Sequence, residues 1–135
     1  MLYSPKISRF IYDVDAGVSF GIFIKDEDYY TITAAFTHQK DQFCKEVGRK
    51  ICGERFAKSL LDTSNEQPLT EDVHRAVLGD TLIEAWQELH DIIYDVIDLY
   101  RPQIDDPSIH RDSLHSDIWD EIENNLTYPL SRLDW

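Results

Sequence analysis

The stretch VSFGIFIKDEDYYTITAAF, residues 18–36, decides the fold. Apolar residues recur at every second position in Val18, Phe20, Ile22 and Ile24, and again in Tyr30, Ile32, Ala34 and Phe36. A period of two belongs to strands, and Asp26-Glu27-Asp28 between the runs supplies turn residues. The spacing predicts a β-hairpin whose two apolar rows share one face. Upstream, residues 10–14, set off by Asp15-Ala16-Gly17, predict a further strand, giving an antiparallel meander of about three strands. So narrow a sheet leaves edges that helices or another subunit must cover, and a homodimer through the sheet edge is one solution.

Downstream the apolar period becomes helical. Over residues 40–61, Phe43, Val47 and Ile51 fall on one line with Cys44, Cys52 and Phe56 beside it, which predicts a helix with both cysteines as reduced core thiols. Gly48 and Gly53 interrupt it. Each costs about 1 kcal/mol relative to Ala, so they point to close approach to the sheet or to a backbone kept clear for a ligand. Residues 62–68 read as a polar linker, and Thr70 caps a short helix ended by Gly79. Thr81-Leu82-Ile83-Glu84 fits a capping box that opens the longest helix, expected to stop at Arg101-Pro102. Its seam is Leu82, Trp86, Leu89, Ile93, Val96 and Tyr100. Residues 103–115 read as a loop, residues 117–126 as a last helix with Ile118, Trp119 and Ile122, and residues 128–135 as a tail able to dock. The expected fold is α+β, an N-terminal antiparallel sheet of about three strands followed by three to four helices. It forms a single domain over residues 1–135, with the sheet and first helix in 1–61 and an acidic helical half in 69–135.

Charge is placed unevenly along this domain. Residues 1–58 hold 9 Lys and Arg against 8 Asp and Glu, whereas residues 59–135 hold 4 Arg, no Lys and 18 acids. The first part is near neutral and the second carries −14, within a whole-chain net charge of −13. Direct contact of the acidic half with nucleic acid or an anionic membrane is electrostatically opposed, and a cationic protein partner is favoured. No apolar run approaches the roughly 20 residues that span a bilayer or has signal-peptide form, so a cytoplasmic location is expected.

The acids of the longest helix follow a pattern. Glu84, Glu88, Asp91, Asp95 and Asp98 are spaced four, three, four and three apart, which places them opposite the apolar seam. The ridge is roughly 21 Å long at 1.5 Å per residue, about one charge per 5 Å, comparable with one phosphate per about 3.4 Å along a DNA strand. Asp117, Asp120 and Glu121 extend the acidic surface. An ordinary solvated face normally alternates charge signs to gain i,i+4 pairs, and this one has no lysine. The pattern points to a DNA-mimicking surface that occupies the basic groove of a nucleic-acid-processing protein.

A second pattern runs from strand to helix through residues 34–55. Lys40, Lys45, Arg49 and Arg55 there are candidate anion-binding residues around a helix start. Glu46 to Lys50 and Lys50 to Glu54 also have the i,i+4 spacing of surface ion pairs, and no phosphate-binding glycine motif is present. The alternative activity is thus a sponge that sequesters a phosphorylated nucleotide signal.

Residues 34–56 also resemble a stretch found in small bacteriophage accessory proteins of the anti-defence type. There a strand ending in Ala and Phe leads into Lys40, Asp41 and Phe43 and a helix bearing Gly48, Arg49 and Arg55. The resemblance implies a phage protein working in the host bacterial cytoplasm. Such proteins disarm a host system, as anti-CRISPR inhibitors do, by occupying a host protein or holding a nucleotide signal. A structural or assembly role in the particle is the third reading.

Catalytic chemistry finds no foothold. His110 and His115 with Asp112 and Asp117 match no zinc spacing, there is no nucleophile elbow or zinc-protease helix, and no cofactor motif occurs. The expectation is a non-enzymatic binder without metal or cofactor.

Overall fold

The computed structural model describes residues 8–37, 42–59, 66–79, 82–104, 116–127 and 133–135. Four antiparallel strands form one sheet in the order β1 (Ser8–Asp13), β2 (Val18–Ile24), β3 (Tyr29–Phe36) and β4 (Gln67–Pro68). The helices are α1 (Lys45–Ser59), α2 (Glu71–Leu78), α3 (Leu82–Ile104) and α4 (Ser116–Thr127). Among the described residues the fold is α+β, an antiparallel sheet of three N-terminal strands joined by the short β4, with four helices.

The hairpin has the register that its alternation requires. Ile24 lies opposite Tyr30, Ile22 opposite Ile32, Phe20 opposite Ala34 and Val18 opposite Phe36, so both apolar rows share one face. Asp26 closes the turn, its Oδ1 accepting from the amides of Asp28 (2.8 Å) and Tyr29 (3.0 Å). Between β1 and β2, Gly17 takes φ +74°, a left-handed conformation that glycine adopts without a Cβ penalty. β1 sits two residues earlier than the expected 10–14 at its start and one at its end. The short β4 falls at the end of what reads as linker, pairing Tyr29 with Pro68 and Tyr30 with Gln67. Two residues are too few to show a period.

The sheet is buried on both faces. Its apolar rows meet α2, α3 and α4 in the main core, with Leu82, Ala85, Leu89, Ile93, Val96, Ile97, Trp119, Ile122 and Leu126. The reverse face is made of smaller residues, among them Ser19, Gly21, Thr33 and Ala35, and α1 lies across it. Phe23, Ala35, Cys52 and Phe56 form a second core there, with Phe23 and Phe56 rings stacked at 4.6 Å. The acidic half is therefore the other covering layer of the sheet, not an extension beyond it.

Close approach explains one of the two helical glycines. A Cβ on Gly48 would lie 2.8 Å from Ser19 Cβ and closer still to its hydroxyl. Gly48, Cys52 and Phe56, four apart, thus form the buried line of α1. The expected line through Val47 is wrong: Val47 is 52% exposed, and Cys44 lies before the helix, exposed, so it is not a core thiol. Residues 42–44 are not helical, and α1 begins at Lys45, five residues later than expected. Phe43, packed edge-on against Tyr12 at 6.3 Å, holds the chain against β1 before the helix turns. Cys52 is the one core cysteine, and burial pushes its thiol up to about 12.

α2 is capped as expected, the Thr70 hydroxyl accepting from the Val73 amide at 3.3 Å. Thr81, the expected cap of α3, lies outside the described residues. α3 does not stop at Pro102 but ends at Ile104; a proline this near a helix end forfeits about one intrahelical bond, and too little helix follows for that to break it.

Candidate functional site

α3 carries its acids on one exposed face, with a single exception. At 100° per residue, Glu84, Asp91, Asp95 and Asp98 fall within a 60° arc opposite the core seam. All four are exposed, Asp91 by 81% at its side chain. Residues 82–100 contain no Lys or Arg. Among the described residues the only ion pair to these four acids is His90 with Asp91, 3.4 Å apart. Glu84, Asp95 and Asp98 have no hydrogen-bond or salt-bridge partner there. Ile83 (64% exposed) and Leu99 (50%) flank the arc on opposite sides.

Glu88 departs from the expected ridge. It is half-buried and accepts from Tyr30 Oη at 2.7 Å and from Thr70 Oγ1 at 2.9 Å. On the wheel it lies only about 20° beyond Asp95, but Tyr30 and Thr70 reach it there, so its carboxylate ties α3 to β3 and to the cap of α2. Burial, with the Glu88 carboxylate added, raises the Tyr30 phenol well above its ordinary range. Glu88 is a structural acceptor, and the exposed ridge is four carboxylates.

Of the acids expected to extend this surface, the side chain of Asp117 lies outside the described residues. Asp120 is exposed and Glu121 half-buried. The charge of Glu121 acts on Asp13 at the end of β1. Asp13 is fully buried, its oxygens accepting from Asn125 Nδ2 at 3.0 Å each and Oδ1 from the Ala16 amide at 3.1 Å. Burial raises its carboxyl above the usual range, with Glu121 and Asp15 adding to the effect against the two hydrogen bonds. This pair pins α4 to the β1–β2 turn. The sequence reading missed it, although an aspartate three residues before a turn alanine is a recognisable local acceptor.

The expected anion site is largely consumed by the protein's own contacts. Lys45 pairs with Asp134 and lies 4.9 Å above the Tyr12 ring. Arg49 Nη1 donates to Tyr12 Oη at 3.1 Å, which raises its already high pKa. Arg55 Nη1 donates to the Ala34 carbonyl at 2.6 Å and its guanidinium lies 5.1 Å from the Tyr100 ring centroid. Lys40 lies outside the described residues. The helical pairs Glu46 to Lys50 and Lys50 to Glu54 do not form, and Lys50 stays solvated.

Of the metal candidates, His110, Asp112 and His115 lie outside the described residues. Among the described residues no group of three or more His, Cys, Asp or Glu is arranged to hold a metal ion, and no helix is long and apolar enough to cross a membrane. Comparison with protein-family models, with curated proteins and with solved structures yields no match.

Proposed function

We propose that this protein is a non-enzymatic inhibitor that lays the acidic face of α3 into the basic, nucleic-acid-binding surface of another protein. The observation that carries the reading is the crest of Glu84, Asp91, Asp95 and Asp98, exposed, with no Lys or Arg among residues 82–100. Asp91 and Asp95 are four apart and Asp95 and Asp98 three apart, so each pair repels and costs about 0.2–0.5 kcal/mol of helix stability. Charges that weaken the helix carrying them are well suited to an external cation. The flanking Ile83 and Leu99 suit a groove whose cationic floor has apolar rims, since charge steers the encounter and apolar contact adds the desolvated area.

The resemblance of residues 34–56 to phage anti-defence proteins makes a host defence protein in the bacterial cytoplasm the target class. The nucleotide-sponge reading has weaker support, because Lys45, Arg49 and Arg55 are already engaged within the chain.

The test is capture from a bacterial lysate at low salt, followed by challenge with duplex DNA. The reading expects a nucleic-acid-handling protein to be retained and then released by the DNA. Retention that duplex DNA does not disturb would contradict mimicry.

A further inference from the structure

The two edges of the sheet are closed very differently. On β3, β4 pairs with Tyr29 and Tyr30, and the Arg55 guanidinium occupies the Ala34 carbonyl. On β1 the outer edge carries, among the described residues, the bridge of Tyr12 to Asp134. The Tyr12 amide donates to Asp134 O at 2.6 Å, and the Asp134 amide donates to Tyr12 O at 2.8 Å. In an antiparallel ladder outward groups recur at every second residue, so the backbone groups of Phe10 also face outward. No partner meets them among the described residues.

The segment Leu133–Trp135 sits on this edge as a bound peptide would. Its side chains alternate: Leu133 is buried with the main core, while Asp134 turns to the α1 side and pairs with Lys45. Lys45 is itself held over the Tyr12 ring, and Arg49 reaches the Tyr12 hydroxyl. The edge thus offers backbone pairing, an apolar recess on one face and two cations on the other, in a molecule whose net charge is −13.

We propose that the outer edge of β1 is a strand-addition site for an extended acidic segment of a partner protein, apolar–acidic–aromatic in pattern, which Leu133–Trp135 fills in cis. Strand addition takes affinity from main-chain hydrogen bonds and specificity from alternate side chains. A longer segment would reach Phe10 as well and gain a second pair of backbone bonds. Its disadvantage is the high effective concentration of the tethered segment, so the site binds in trans when that segment is displaced. A second copy is the disfavoured occupant, because two chains of −13 repel.

The test uses the full chain and a labelled peptide, PLSRLDW, with the sequence of residues 129–135. In the Asp134→Lys chain the lysine faces Lys45 and the edge opens, which the amide exchange of Tyr12 reports. If Tyr12 stays protected, Leu133→Asp opens the edge by removing the buried apolar group. The opened chain binds the peptide at least about tenfold more tightly than the native chain, and the Tyr12 amide becomes protected again on binding. Adding Lys45→Glu to Asp134→Lys restores a reversed ion pair in cis and removes peptide binding. Equal affinity for native and opened chains, or no saturable binding to the opened chain at about 1 mM, overturns the proposal. A dimeric mass for the native chain overturns it in favour of segment exchange between copies.

Discussion

The two helical layers that cover the sheet treat charge in opposite ways. On the α1 side, Lys45, Arg49 and Arg55 each have a partner inside the molecule: a carboxylate, a phenol, a carbonyl. On the α3 side, Glu84, Asp95 and Asp98 have no hydrogen-bond or ion-pair partner among the described residues, and Asp91 has only a histidine. Residue types alone suggest two charged surfaces of equal standing. The geometry separates them into one that holds the protein together and one that faces outward at a cost to its own helix.

The sharpest way to break this contrast is at the α1 contact itself. Gly48→Ala places a methyl group against Ser19 in a layer with no room for it, and about 1–3 kcal/mol of stability is lost, read by denaturant unfolding. Ser19 has a buried hydroxyl with no hydrogen-bond partner among the described residues, so Ser19→Ala alone leaves stability unchanged or slightly raised. Adding Ser19→Gly to Gly48→Ala recovers part of the loss.

The carboxylates of α3 divide in the same measurement. Glu88→Gln weakens the charge-assisted acceptance from Tyr30 and Thr70 and costs about 1–2 kcal/mol. Asp91→Asn, Asp95→Asn and Asp98→Asn together raise stability by up to about 1 kcal/mol, because the like-charge repulsion they remove outweighs the exposed contact of Asp91 with His90. Equal losses from both substitutions would erase the distinction between structural and outward-facing acids.

Asp13 gives the contrast a pH axis. Its carboxyl titrates above 3.8 in the folded chain because burial disfavours the anion. The folded state thus binds the proton more tightly than the unfolded one. The stabilising contribution is full below 3.8 and is lost as pH rises through the raised value. Asp13→Asn removes that slope, so the variant gains on the native chain with rising pH in unfolding curves taken across the acidic range. A difference that stays constant with pH would mean that Asp13 is not titrating as a buried group.

The smallest effect belongs to the solvated surface. Lys50→Ala changes stability by no more than about 0.5 kcal/mol, since neither expected helical pair forms around it.

How far the sequence could be read follows from where its information is local. The hairpin register was legible from residues 18–36 because a period of two leaves no freedom once one face must be buried. The cap of α2 at Thr70 was legible for the same reason, being set by neighbours three residues apart. The buried line of α1 was not. Its apolar residues are few, and the face was chosen by the small residues Ser19, Gly21 and Ala35 across from it, which no pattern within the helix reveals. Glu88 shows the same limit within the candidate site. Its spacing is that of the ridge, but Tyr30, fifty-eight positions away in the chain, turns it inward. The Lys45 to Asp134 pair spans eighty-nine positions, and only the fold brings it together.

The most direct measurement is the association rate of the captured partner with the native chain and with a chain carrying Glu84→Gln, Asp91→Asn, Asp95→Asn and Asp98→Asn, each over a range of salt. An outward-facing acidic face that docks a cationic groove requires the native rate to fall steeply with salt, and the substituted chain to associate about tenfold or more slowly at low salt with a much flatter dependence. If the folded, substituted chain associates at the native rate with the native salt slope, α3 is a solvated helix and the proposed inhibition has no surface to act through.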